Sequence, residues 1–147
     1  MNKPTKFTIR AYAIITNEKN EVLLSDEFVF GLRITKFPGG GVELGEGILD
    51  GLHREAIEEL GQDIEILNHF YTTDFFQQGY FKKNVQIVSV YYLAKLKESP
   101  RFKISIKPFD FEKETEGAQS FRWSDLKDLQ IDEITLPIDK VVARMLK

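Results

Sequence analysis

Apolar and polar positions alternate along residues 7–16 (FTIRAYAIIT), with Phe7, Ile9, Ala11, Ala13 and Ile15 on one face and Tyr12 and Ile14 on the other. A strand that is apolar on both faces is covered on both sides, so this segment predicts a buried strand. Residues 17–21 (NEKNE) read as a turn, and 22–24 begin a second strand of a hairpin. The alternation is lost across 25–36, which reads as irregular. At Ile48–Leu60 the period becomes helical: Leu49, Leu52, Ala56 and Leu60 recur at three- and four-residue spacing, and Gly61 stands where a C-terminal cap belongs. Residues 64–76 predict one or two strands, and 77–84 a turn. Val85–Leu96 is apolar on both faces and predicts a central strand. Residues 102–106 suit a short strand, 108–117 an acidic loop and 119–123 a last strand. A short helical turn over 124–129 takes Ser124 as its N-cap. Pro137–Leu146 closes as a helix, with Pro137 in its first turn.

Composition narrows the class. A chain of 147 residues fits one domain, residues 1–147, with room for a proper core. Net charge is −3 and no basic tail or stripe is present, which argues against nucleic acid or an anionic membrane surface as partner. The chain has no cysteine, so disulfides, thiolate zinc sites and a cysteine nucleophile are excluded. The first ten residues lack a signal-peptide core and no apolar run approaches a membrane span, so a cytoplasmic protein is expected.

The chemistry concentrates at residues 38–61, PGGGVELGEGILDGLHREAIEELG. On a helix over 48–60, at about 100° per residue, Glu55, Glu58 and Glu59 share an arc beside the apolar stripe. Like charges at these i,i+3 and i,i+4 spacings cost roughly 0.2–0.5 kcal/mol per pair. Arg54 alone cannot neutralise three acids, so further positive charge must come from elsewhere. A hard divalent cation such as Mg²⁺ supplies it naturally, because it takes oxygen ligands and is commonly shared with substrate phosphates. Gly39, Gly40 and Gly41 let the backbone pass close to a ligand. Arg54 follows Glu46 by eight residues and could clamp it or orient Glu55. Gly51 inside the helix implies close approach of a neighbour on that side.

These residues resemble the Nudix box, G-x5-E-x7-R-E-U-x-E-E-x-G-U with U aliphatic. Here Gly40, Glu46, Arg54, Glu55, Glu58, Glu59 and Gly61 fill every glycine and charged position at the required spacing. The one departure is Gln62, at a position that packs rather than reacts. The resemblance implies an α/β (α+β) fold, an α/β/α sandwich with a central mixed β-sheet. It also implies hydrolysis of a nucleoside diphosphate linked to another moiety, with Mg²⁺ or Mn²⁺ as cofactor and water attacking phosphorus. By the same resemblance Glu55, Glu58 and Glu59 bind metal, and Arg54 holds a glutamate in place with Glu46 as its partner. The carbonyls of 39–41, Gly40 among them, and Glu43 add to the metal shell. Family members often draw a further acid from a loop before the last strand. Glu116 is the choice here, with Glu112 and Glu114 as rivals, and a box glutamate is the base if no loop acid serves.

Outside the box, Arg10, Arg33, Lys36 and the glycines Gly39 and Gly40 are candidate substrate contacts, the cations through phosphate. The aromatics Phe70, Tyr71, Phe75, Phe76, Tyr80 and Phe81 suit core or homodimer contacts, and one of them could stack on a base or sugar. Trp123, His53 and His69 read as structural. The rival to an enzyme is a sensor domain on the same fold, holding a nucleotide-like ligand. The retention of every box acid favours the enzyme.

Overall fold

A computed structural model describes residues 3–147. The strands are β1 (Lys6–Ile15), β2 (Glu21–Val29), β3 (Leu32–Lys36), β4 (Gly39–Gly41), β5 (Ile64–Thr72), β6 (Val85–Leu96) and β7 (Gln119–Asp125). The helices are α1 (Ile48–Leu60), between β4 and β5, and α2 (Pro137–Leu146), after a short 3-10 turn at Ile131–Glu133. A four-stranded mixed sheet runs in the order β4-β1-β6-β5, and a three-stranded sheet in the order β3-β2-β7. The β1–β6 pair is parallel and every other pair is antiparallel.

Strand β1 is the seam of the molecule because both of its faces are apolar. Ala11, Ala13 and Ile15 pack with Leu52, Ala56 and Leu60 of α1. Tyr12 and Ile14 pack on the other side with Ile138, Val142 and Ala143 of α2. The expected sandwich of helices about a mixed sheet is therefore present, with the small antiparallel sheet as an addition. Central β6 also follows the expectation, lying between β1 and β5.

The second hairpin corrects the reading of 25–36 as irregular. Strand β2 continues to Val29, turns at Phe30 and Gly31, and returns as β3. Both turn residues have positive φ, 52° and 74°, which suits the twist of a tight hairpin. The alternation is hidden because β2 buries polar residues, Ser25 and Asp26. Asp26 accepts hydrogen bonds from Arg122 Nε at 2.7 Å, Thr35 Oγ1 at 2.6 Å and the Phe109 amide at 3.2 Å. It thereby joins β2, β3, β7 and the acidic loop.

Other boundaries moved less. Helix α1 has the expected limits, and the Gly61 amide closes it on the Ile57 carbonyl at 3.0 Å. Its first turn faces Ile48 and Gly51 inward and leaves Leu49 exposed. Residues 102–106 make only an isolated bridge, Ile104 to Phe121. Ser124 lies inside β7, and Asp125 caps the turn that follows, accepting from the Lys127 amide at 2.8 Å. Gln62 is buried, and its side chain ties down residues 98–101 through the Glu98 and Ser99 carbonyls and the Arg101 amide.

Asp26→Leu would leave the buried Arg122 guanidinium with only its 3.3 Å contact to Glu133. Removing one partner of a buried pair costs about 3–5 kcal/mol. Urea unfolding should show that loss, and a variant as stable as the parent would contradict the role given to Asp26.

Candidate active site

Strand β4 carries no side chains where α1 crosses it, and this absence builds the site. Gly39 has φ +142°, and a Cβ there would lie 2.1 Å from the Ala11 carbonyl oxygen. A Cβ on Gly40 would lie 2.6 Å from Glu55 Oε1. The three glycines are thus a short strand rather than a turn, in register with Arg10, Ala11 and Tyr12 of β1. Glu55 closes over Gly40, and Glu59 Oε1 accepts the Gly39 amide at 3.2 Å.

Arg54 organises the outer acids. Its Nε and Nη2 grip Glu46 in a fork at 3.0 and 2.7 Å, and Nη2 also reaches the Gly41 carbonyl at 2.9 Å. Its Nη1 lies 3.3 Å from Glu55 and 3.2 Å from Glu58. A paired, planar donor of this kind holds a carboxylate charged. Accordingly, the bonds from Arg54 hold Glu46 down to about 2. Gly51 accounts for its place in the helix here, since a Cβ would meet Glu46 Oε1 at 2.9 Å. Glu43 is more exposed and stands 4.0 Å from Arg54.

The inner acid is Glu59. Burial pushes its carboxyl up, and the nearby Lys36 charge opposes that rise. Gln119 Nε2 donates to Glu59 Oε2 at 2.5 Å and lies 3.2 Å from Glu27 Oε2. Lys36 is 4 % exposed, and its ammonium meets the Phe37 carbonyl at 3.0 Å, the Gly39 carbonyl at 3.1 Å and Glu27 Oε2 at 3.2 Å. Those three acceptors use its three protons, so Lys36 is not a free hook for substrate phosphate as the sequence suggested.

A cavity of about 390 Å³ adjoins these groups, within the range usual for small-molecule sites. Lys36 and Glu27 form part of its wall, with Arg10, Lys6 and Lys82 adding positive charge. Phe30 and Phe81 meet at its edge, ring centroids 4.9 Å apart, with Tyr80 beside them. Arg10 bonds the Tyr12 hydroxyl and lines the cavity. Also lining the cavity, Asp139 from the first turn of α2 accepts the Tyr91 hydroxyl and the Phe37 amide. Burial pushes its carboxyl up to about 6.

Two sequence candidates stand elsewhere. Arg33 alternates with Ile34 and Lys36 on β3, so it leaves the cavity side and pairs in the open with Glu114 at 2.6 Å. Glu116 accepts the Phe30 and Gly31 amides and caps the β2–β3 hairpin. Glu112 is exposed on the same loop. Sequence reasoning missed Glu27, Gln119 and Asp139. None carried a usable local signal, since the buried polar residues Ser25 and Asp26 break the alternation that would place Glu27 on the face of Leu23.

The donors suit a hard divalent ion, because Glu55, Glu58 and Glu59 offer carboxylate oxygen beside a side-chain-free strand. Among the described residues, no three Asp, Glu or His side chains converge as they stand on a metal position. The cause is visible in the contacts: Arg54 engages Glu55 and Glu58, while Gly39 and Gln119 engage Glu59. The Gly39 and Gly41 carbonyls are likewise taken, by Lys36 and Arg54.

Carboxylates of this kind beside a cation-lined cavity equip an enzyme for work on phosphate groups. Residues 6–145 match the profile of the NUDIX domain. The chain belongs to that family, whose enzymes are hydrolases of pyrophosphate bonds. The fold is shared with a MutT protein from Methanosarcina mazei at TM-score 0.70 and 19 % identity, covering 99 % of this chain and 95 % of that one. It is shared with a MutT NUDIX hydrolase from Burkholderia pseudomallei at TM-score 0.71 and 19 % identity, covering 95 % and 98 %. An ADP-ribose pyrophosphatase from Streptococcus suis aligns at TM-score 0.61 and 20 % identity, covering 95 % and 86 %. No curated protein sequence matches the chain. Among the described residues, no helix is long and apolar enough to cross a membrane.

The Glu46–Arg54 clamp has a pH signature. The folded carboxyl of Glu46 titrates near 2, below its ordinary value of 4.5, so the clamp's stabilisation is present above 4.5 and is lost as pH falls through 2. Arg54→Ala should raise the Glu46 titration in a carbon-detected NMR experiment, part of the lowering persisting through the Glu43 amide, which donates to Glu46 at 2.8 Å. The stability gap between variant and parent should narrow as pH drops from about 4.5 to 2. A Glu46 titration unmoved by the substitution would remove the clamp.

Proposed function

We propose that this chain is a Mg²⁺-dependent hydrolase, with Mn²⁺ able to substitute, that cuts a pyrophosphate bond in a nucleoside diphosphate carrying a further group. The observation that supports this most is a shared wall. Glu27 and Lys36 line the cavity and also meet the groups around Glu59 and Gly39. A diphosphate lying at the acids therefore has its attached moiety beside the cavity.

In this reading Glu55, Glu58 and Glu59 hold the ion, and Arg54 steers Glu55 and Glu58 from the Glu46 side. A divalent ion held there would supply positive charge to phosphoryl oxygens and acidify a water. Arg10 offers a cation to the phosphate chain, and Phe30, Tyr80 and Phe81 present aromatic faces to the attached moiety. With Glu116 occupied at the hairpin, a glutamate of α1 takes the proton of the attacking water. The substrate is a small nucleotide derivative met in the cytoplasm, with neither nucleic acid nor membrane as partner.

Purified protein with Mg²⁺ should hydrolyse at least one compound among nucleoside triphosphates, nucleotide sugars, ADP-ribose and dinucleoside polyphosphates. Glu59→Gln should cost about 100-fold or more in kcat, the scale of lost metal assistance to phosphoryl transfer, while circular dichroism stays unchanged. A mutant as fast as the parent would remove Glu59 from the chemistry. Binding without turnover across the panel would favour the sensor reading.

A further inference from the structure

The tip of the β2–β3 hairpin carries an unusual residue for its shape. Val29 pairs with Leu32, so Phe30 and Gly31 form a two-residue turn, and both have positive φ, 52° and 74°. Such turns favour asparagine, aspartate or glycine at the first position, and a bulky side chain rarely takes that backbone conformation. Outliers of this kind persist only where the surrounding structure holds them, and they cluster at functional positions. Glu116 does the holding: one of its oxygens accepts the Phe30 amide at 2.5 Å and the other the Gly31 amide at 3.2 Å. The 108–117 loop is fastened to the same hairpin at two more points. Arg33 donates to Glu114 in a fork at 2.9 and 2.6 Å, and the Gly117 amide donates to the Phe28 carbonyl at 2.8 Å. The Phe30 ring lines the cavity and meets Phe81, which meets Tyr80 edge-on with centroids 5.0 Å apart. That contact links the two sheets, because Phe30 joins β2 to β3 while Phe81 lies between β5 and β6.

We propose that Glu116 is a positioning residue for substrate binding: by holding the Phe30–Gly31 turn, it keeps the Phe30 ring against Phe81 as a cover over the part of the cavity that receives the attached moiety. The inference rests on the hydrolase reading above and gives the loop acid a role in binding rather than in proton transfer. Three features support this over simple capping of a turn. A turn kept only for stability has no use for a ring at position 30, where glycine or asparagine fits with less strain. The ring is largely exposed, so no core packing fixes it and its direction follows from the backbone that Glu116 holds. Both oxygens of Glu116 are engaged by amides, which suits a brace and not a base. Because the brace acts through the ring, its effect falls on how tightly the substrate is held and not on the bond that is cut.

The test is a double-mutant cycle in KM and kcat, run with the compound of the panel above that the parent hydrolyses fastest. Glu116→Ala should raise KM about tenfold, the scale of one charge-assisted hydrogen bond lost, and leave kcat within about twofold. Glu116→Gln keeps an acceptor oxygen and should recover most of that loss. Phe30→Gly should raise KM to a similar extent. Adding Glu116→Ala to Phe30→Gly should then cost no more than about twofold further, because the ring through which Glu116 acts is gone. Additive effects on KM in the double variant would overturn the proposal. So would a kcat loss of about 100-fold or more in Glu116→Ala with KM unchanged, which would make Glu116 a base. A parent that hydrolyses nothing in the panel would overturn the hydrolase reading and the role in binding with it. The brace itself is read without substrate, by NMR. The Phe30 and Gly31 amides of the parent should be protected from solvent exchange, and the Phe81 ring signals should move in Glu116→Ala. Freely exchanging amides, or a Phe81 ring unmoved by the substitution, would overturn the brace while leaving the hydrolase reading intact.

Discussion

Negative charge from Glu46, Glu55, Glu58 and Glu59 is gathered against a strand made only of glycine, and the arrangement depends on where its counter-charge comes from. Close approach and electrostatics are one constraint here. Because Gly40 has no Cβ, Glu55 can lie on the backbone of β4. Because Gly39 has none, β4 can lie on β1. Each step inward removes water from a carboxylate and raises the cost of its charge. Arg54 answers that cost on the outer side, from within α1, and Lys36 answers it on the inner side, from the end of β3. The site is therefore charged before any ligand arrives, and its cations come from two different elements on either side of β4.

The same geometry places the acids and the cavity on different parts of the chain. The acids belong to α1 and to the strand it crosses. The cavity belongs to β1, β3, β6, the 77–82 segment and the start of α2. Few residues serve both, and those that do, Glu27 and Lys36, sit at the boundary. Asp139 ties the first turn of α2 to Phe37 and Tyr91 and so fixes part of the cavity wall.

Helix α1 and the roles of Arg54 and Glu46 were legible in the sequence because they rest on local spacing. A helix turns at a constant angle, so Arg54, Glu55, Glu58 and Glu59 must share a side, and Gly61 must end it. Strand β1 was legible for a similar reason, its two apolar faces needing two covers. Strand β2 was not, since its central residues are polar and buried. Asp26 is satisfied by Arg122, 96 positions away, and no local pattern announces such a partner. Glu27 was lost with that strand, and with it the meaning of Lys36, which in sequence is only a cation before the glycines. The acidic loop misled for the opposite reason. Glu114 and Glu116 look free in sequence, yet Arg33 and the hairpin amides claim them.

The central claim is that the functional ion sits between α1 and β4. Paramagnetic broadening by substoichiometric Mn²⁺ in ¹⁵N-labelled protein tests it without needing a substrate. The account predicts that the amides of 39–41 and 55–59 broaden first, with those of 108–117 surviving to higher Mn²⁺. Broadening centred on the 108–117 loop, or spread evenly over the acidic surface, would contradict it.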